Sequence, residues 1–106
     1  MTTKSLADYD MAIQLDPNNA MAYSNRSLLK YALGKKEDAI ADYDRAIQLN
    51  PNYADAYNNR GNLKSTLDDK QSAIEDYQKA ADLYKQQGKT SDEQYAVNRV
   101  KKLSEQ

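Results

Sequence analysis

Cysteine and histidine are both missing from these 106 residues. Their absence removes thiol and imidazole nucleophiles, histidine-dependent triads and the usual zinc and iron ligands together. Without cysteine no disulfide can form, so stability has to come from packing. A reducing cytosol is compatible with this composition, and a cytoplasmic location is the expectation. No charge of one sign dominates: 15 Lys and Arg stand interspersed with 16 Asp and Glu, for a net charge of -1. That balance offers no basic face for nucleic acid or an anionic membrane. No apolar run approaches the roughly 18–20 residues that a membrane span requires. The opening MTTKSLADYD lacks the apolar core of a signal peptide. Carboxylates, Lys, Tyr and Ser/Thr remain as catalytic groups, and none of them stands in a catalytic motif.

What is present is a repeat. The segment IADYDRAIQLNPN (40–52) has a near copy upstream in LADYDMAIQLDPN (6–18) and a looser one downstream in IEDYQKAADLYKQ (74–86). Leu6, Ile40 and Ile74 follow one another at intervals of 34 residues, as do Pro17 and Pro51. A fixed period across a chain of one domain's length is the mark of a repeat architecture.

Helical spacing fills the period. Leu6, Tyr9 and Ile13 form an i, i+3, i+7 stripe that predicts a helix over about 5–15, stopped by Pro17. Asn18 is then the expected N-cap of a helix over about 19–33 that ends at Gly34. A third helix, about 36–49, opens on Glu37 and Asp38 and lines up Ala39, Ile40, Tyr43, Ala46 and Ile47. After Pro51 the cycle restarts with Asn52 as cap and helices over about 53–67 and 70–86, with Asp68–Asp69 in the turn. Thr90 and Glu93 have capping-box spacing and predict a last helix over about 91–104. There is no strand signal. The expected fold is all-α, a right-handed solenoid of stacked antiparallel hairpins with about six helices.

These residues resemble the tetratricopeptide repeat family. Its pattern of an aromatic, a small residue, a hairpin glycine, Ala–Ile, a second aromatic, Ala and a closing Pro is met by Tyr23, Ser27, Gly34, Ala39–Ile40, Tyr43, Ala46 and Pro51. The next copy has Tyr57, Gly61, Asp68, Ala73–Ile74, Tyr77 and Ala80, with Lys85 where Pro would stand. The resemblance implies one domain over 1–106: a second helix of a partial repeat at 4–19, full repeats at 20–53 and 54–87, and a capping helix at 88–106. The short columns, Ser27 or Gly61 against Ala39, Ala46, Ala73 and Ala80, let helices approach while the tyrosines fill the space beside them.

Two departures from the family pattern carry expectations. Arg26, Lys30, Arg60 and Lys64 stand where the family has leucine and an aromatic, and Asp42 and Asp76 face them across each hairpin, with Asp8 in the same column of the partial unit. Ion pairing of Arg26 and Arg60 with these aspartates is expected, because an unpaired buried charge is costly. The chain also begins on a second helix, which leaves Leu6, Tyr9 and Ile13 with less cover. Either the chain is a fragment of a longer array or another chain supplies the cover, and self-association through this end, as a homo-oligomer, is expected.

The resemblance implies a concave groove that takes a peptide or a partner's helix. Its columns here are Met21, Ser24, Asn25, Leu28 and Ala32, then Asp55, Asn58, Asn59, Asn62 and Thr66. Asparagine both donates and accepts, so Asn25 and Asn59, one repeat apart, suit a peptide backbone of any sequence. Some family members clamp the C-terminal carboxylate of chaperone tails with Lys and Asn. Of those columns only Asn59 matches, the others holding Ser24, Leu28, Lys89 and Glu93, which disfavours that role. An enzyme is disfavoured as well, since a short solenoid has no deep pocket and its acids sit where helix capping explains them. No cofactor or metal is expected. The protein or peptide partner is left unidentified, and a self-associating spacer without a peptide ligand is the alternative.

Overall fold

Several helix boundaries in the computed structural model, which describes residues 5–106, have a local cause in the sequence. Helix α1 (Leu6–Leu15) starts at Ser5, whose hydroxyl accepts from Asp8 N at 3.3 Å while the Asp8 carboxylate accepts from Ser5 N at 3.1 Å. The expected start of the partial repeat at residue 4 lies outside the described residues. Helix α2 (Ala20–Ala32) is capped by Asn19, whose Oδ1 accepts from Ala22 N at 3.2 Å. The cap is not the expected Asn18, because the Asn18 N–H donates to Asp16 Oδ1 at 3.2 Å and holds that residue in the turn. Helix α3 spans Lys36–Leu49, with Gly34 at φ 81° in the preceding turn.

Helix α4 (Ala54–Thr66) has Tyr53 at its N-cap with no side-chain bond, so Asn52, one residue too early, is not the cap. Asp68 takes the left-handed place that Gly34 holds one repeat earlier, at φ 60°, and short polar side chains tolerate that region best among non-glycines. Asp69 then caps α5 (Lys70–Gln86), accepting from Ser72 N at 3.4 Å. Helix α6 (Thr90–Ser104) begins one residue earlier than expected, which draws Thr90 into the first turn. Lys89 becomes the N-cap and the Thr90–Glu93 box does not form.

All regular elements among the described residues are helices, six in number, and none is long and apolar enough to cross a membrane. They fall into two compact units divided between Pro51 and Asn52. In the first, α1 and α3 both pack on α2; in the second, α4 and α6 both pack on α5. Apolar burial follows the alanine and tyrosine columns. Tyr43 and Ala46 are sealed in the first unit, and Tyr77, Ala80, Leu63 and Tyr84 in the second. Each large side chain so buried stabilises its unit by about 1.5–3 kcal/mol.

The small column is where helices come closest. Ser27 is fully buried and its hydroxyl donates to the Ala39 carbonyl at 2.5 Å. Gly61 holds the same place against α5, and a Cβ there would stand 3.2 Å from the Tyr77 ring and 3.3 Å from the Ala73 carbonyl. The first unit accommodates a serine at the equivalent point, so Gly61→Ser is expected to change stability by no more than about 1 kcal/mol, as the gain in helix propensity offsets the crowding. Gly61→Leu is expected to destabilise by about 3 kcal/mol, because the added carbons meet ring and backbone together. Urea midpoints of the two variants check this, and equal midpoints would show the space is not tight.

Candidate partner-binding site

The outward columns of α4 and α6 meet over α5 in a polar and aromatic network. Tyr84, buried on α5, donates its hydroxyl to Asp55 Oδ1 at 2.5 Å. Tyr77, also on α5, donates to Asn62 Oδ1, and the same oxygen accepts from Tyr95 of α6 at 3.2 Å. The Arg99 guanidinium lies over the Tyr77 ring, 5.7 Å from its centroid, at the distance where a cation gains from the ring quadrupole. Burial, then the hydrogen bond to Asp55, holds the Tyr84 phenol well above the usual tyrosine value of 10. Burial likewise raises Tyr77, and Arg99 partly opposes it.

These shifts set an alkaline limit to stability. A phenol that keeps its proton more tightly folded than unfolded contributes fully below the unfolded value near 10, and its contribution falls as pH rises beyond it. Unfolding free energy is therefore expected to fall between about pH 10 and 11.5, and Tyr84→Phe should flatten that fall. Urea titrations at pH 8, 10 and 11 give the slope, and an unchanged slope in the variant would refute the assignment.

The groove columns named from the sequence divide by environment. Met21 and Leu28 on α2 are exposed and Asn25 is half-buried. Ser24 is a correction: at 3 % exposed it is enclosed by packing and its hydroxyl is not presented to a ligand. On α4, Asp55 and Asn62 are held by tyrosine hydroxyls, and Thr66 donates back to the Leu63 carbonyl at 2.7 Å. Asn58 Oδ1 is sealed from water without a hydrogen-bond partner. Asn25 and Asn59 are half-buried, and among the described residues neither carboxamide is engaged.

The charged column resolves as ion pairs inside each hairpin. Arg26 grips Asp42 with two bonds, Nε to Oδ2 at 2.8 Å and Nη2 to Oδ1 at 2.7 Å, and Lys30 Nζ adds a third contact at 3.1 Å. Arg60, Lys64 and Asp76 repeat the arrangement at 2.8, 2.7 and 3.2 Å. Arg26 also reaches α1, but through Asp10 at 2.9 Å rather than Asp8, which is occupied as the partner of the Ser5 cap.

Sequence spacing misses one residue of consequence. Buried Ala56 and Leu63 on α4 correspond to buried Ala96 and Leu103 on α6, an offset of 40 residues where the repeat period is 34. In that register the place of Asn59 is taken on α6 by Arg99, not by Glu93. The signal was the Ala–x6–Leu spacing shared by the two helices, hidden because it departs from the 34-residue period.

Two family models match, one described as TPR repeat over residues 28–67 and one as tetratricopeptide repeat over residues 54–87. The chain belongs to the tetratricopeptide repeat family. Its fold is accordingly the family's all-α helical solenoid, and TPR domains are in general non-enzymatic protein-interaction modules. Among solved structures, this TPR chain is similar to the first TPR of Spaghetti (RPAP3) bound to HSP90 peptide SRMEEVD. That likeness has 27% identity and TM-score 0.83 over 94% of this chain and 75% of the other. It is also similar to the TPR2B domain of yeast Sti1 in a complex with pHsp70, at 26% identity and TM-score 0.87 over 94% and 80% of the two chains. PcrH in complex with the chaperone binding region of PopD shares the fold at 16% identity and TM-score 0.89, over 93% of this chain and 75% of that one. No curated protein sequence matches the chain.

Proposed function

We propose that this TPR chain captures an extended peptide or a partner's helix on the surface that α4 and α6 form in the second unit, with Asn59 and Arg99 as its principal polar contacts. Asn25 on α2 holds the repeat place of Asn59 and is assigned the same kind of contact. The observation that carries this reading is the likeness, over 94% of the chain, to two TPR domains described in peptide or chaperone complexes. Local chemistry supports it: a half-buried carboxamide that no side chain or backbone group engages among the described residues can pair with a peptide backbone. Exposed Tyr95 of α6, which donates to Asn62 one turn further along α4, supplies flat apolar area for a side chain.

Selection from a displayed peptide library, followed by calorimetric titration of the enriched peptides, tests the proposal. Asn59→Ala is expected to weaken such a peptide about tenfold, near 1.4 kcal/mol, with the helical content unchanged. No loss in either Asn59→Ala or Arg99→Ala would remove the surface from consideration. The HSP90 tail SRMEEVD is expected to bind weakly, since Ser24 is enclosed and Leu28 is apolar where the clamp needs polar groups.

A second reading, self-association through the first helix, has its own observation. Helix α1 has no buried residue, Leu15 is 79 % exposed, and Met11 and Met21 are exposed beside it. Leu6, Tyr9 and Ile13 themselves are half-buried. A cleft of about 160 Å³ lined by Tyr9, Ala12 and Met21 opens between α1 and α2. Sedimentation equilibrium decides: dimer that is lost in Met11→Glu/Leu15→Glu supports this reading, and monomer at millimolar concentration rejects it.

A further inference from the structure

Both units are built on an equivalent pair of helices, α1 with α2 in the first and α5 with α6 in the second. Tyr9, Ala12 and Leu15 of α1 stand two periods of 34 before Tyr77, Ala80 and Leu83 of α5. Ala22 of α2 stands 34 before Ala56, which corresponds to Ala96 of α6. Each unit adds one further helix, and the units differ in which member of the pair carries it. In the first, α3 lies on α2, with Asp42 on Arg26 and the Ala39 carbonyl accepting from Ser27. In the second, α4 lies on α5, with Gly61 against the Tyr77 ring and with Ala54 and Tyr57 packed among Ala80, Leu83 and Ala96.

Each pair is therefore open where the other is covered. The first unit has no counterpart of α4. Tyr9 and Ala12 are half-buried and Leu15 is exposed, whereas Tyr77, Ala80 and Leu83 are buried. The cleft of about 160 Å³ lies at this place, lined by Tyr9, Ala12 and Ala22 among others. The second unit has no counterpart of α3. A cleft of about 340 Å³ opens there between α5 and α6, lined by Gln78, Ala81, Asp82, Val97, Val100 and Lys101. Val97, Val100 and Lys101 occupy on α6 the places of Tyr23, Arg26 and Ser27, the face of α2 on which α3 lies.

We propose that the two clefts engage each other between two copies of this chain. Helix α1 of one copy takes the place of α3 on the α5–α6 pair of the other, and that α6 takes the place of α4 on α1 and α2. The inference rests on the self-association reading above and adds the face that receives α1. A second copy is the occupant because α1 is nearly α3 in sequence: LADYDMAIQLDPN and IADYDRAIQLNPN differ at three positions. One difference falls in the contact and suits it. Arg45 of α3 lies over the Tyr23 ring, 6.0 Å from its centroid; Met11 and Val97 hold these two columns in α1 and α6. Both are exposed, and the contact takes a flexible thioether and a valine out of water together. Charge agrees, since α1 carries Asp8 and Asp10 with no basic residue and Lys101 faces it. Lys101 stands in the small column, but its opposite there is Ser5, at the very start of α1, where wider spacing costs little. Such a contact joins unlike faces, so every dimer keeps one unused cleft of each kind and association continues past two copies.

Two variants of the full chain test this in sedimentation velocity, Met11→Glu/Leu15→Glu to block α1 and Val97→Glu/Lys101→Glu to block the α5–α6 cleft. All four residues are exposed, and unchanged helical content confirms that both variants fold. Wild type is expected to grow beyond dimer as concentration rises, and each variant alone to associate at least about tenfold more weakly. Their equimolar mixture should restore wild-type affinity and stop at a dimer, because the open α5–α6 cleft of the first variant receives the intact α1 of the second. A mixture no more associated than its components overturns the proposal. Wild-type association in Val97→Glu/Lys101→Glu also overturns it, in favour of an α1-to-α1 contact, and leaves the self-association reading standing. Monomeric wild type at millimolar concentration rejects both.

Discussion

Tyr77→Ala is expected to destabilise the second unit by about 3–5 kcal/mol, the range for removing a buried aromatic ring. Tyr77 is fully buried on α5 and touches every layer of its unit. Its ring closes on Gly61 of α4, packs with Ala73, Leu103 and the flanking Ile74 and Val100, and lies beneath Arg99, while its hydroxyl reaches Asn62. Removing it opens a cavity bounded by all three helices of the unit. A domain of this size is stable by only about 5–15 kcal/mol in total, so the loss takes a large share. Tyr77→Phe separates packing from polarity. Asn62 keeps its bond from Tyr95, so Phe is expected to cost only about 1 kcal/mol. Because repeat chains can lose cooperativity between neighbours, the alanine variant is expected to unfold in two steps in a urea titration followed by circular dichroism. A single transition with an unchanged midpoint would refute the central place given to this ring.

The features legible from sequence are those tied to the period. Tyr43, Tyr77, Ala39, Ala46, Ala73 and Ala80 recur at 34 residues because each repeat must present the same stripe to its neighbour, and all six are buried. The Arg26–Asp42 and Arg60–Asp76 pairs were legible for a related reason: oppositely charged residues that face each other across a hairpin have short reach and few other partners. Cap positions shifted by one residue, as from Asn18 to Asn19, because several polar side chains compete for the same few N–H groups and only the turn geometry selects among them. Partner choices of the tyrosine hydroxyls were not legible. Asn62 reads as a ligand-facing amide, yet its oxygen is taken by phenols of α5 and α6, and that depends on how three helices are rotated. The register of α6 was hidden for another reason: it leaves the period, and only the burial of Ala96 and Leu103 reveals which of its residues corresponds to Asn59.

Asp42→Ala is expected to cost about 3–5 kcal/mol, the scale for leaving a buried charge without its partner. The Asp42 side chain is 6% exposed and Arg26 17%. Loss of the carboxylate strands the Arg26 guanidinium, which approaches it at 2.7 and 2.8 Å, and the Lys30 ammonium at 3.1 Å. Asp10 provides the internal control. It contacts the same guanidinium at 2.9 Å, but its side chain is 56% exposed, so water and salt screen the pair. Asp10→Ala is therefore expected to cost less than 1 kcal/mol. One arginine thus compares an enclosed and a solvated carboxylate at nearly equal distance. Arg26→Met/Asp42→Leu should recover most of the loss, since a hydrophobic pair of similar volume needs no compensation. Raising salt from 0.1 to 1 M should narrow the difference between wild type and Asp10→Ala while leaving that of Asp42→Ala largely intact, because screening acts mainly on exposed pairs. Equal losses for Asp10→Ala and Asp42→Ala in urea titrations would mean that the column is a solvated row of charges. In that case the helices of the first unit would be held by the alanine and tyrosine columns alone.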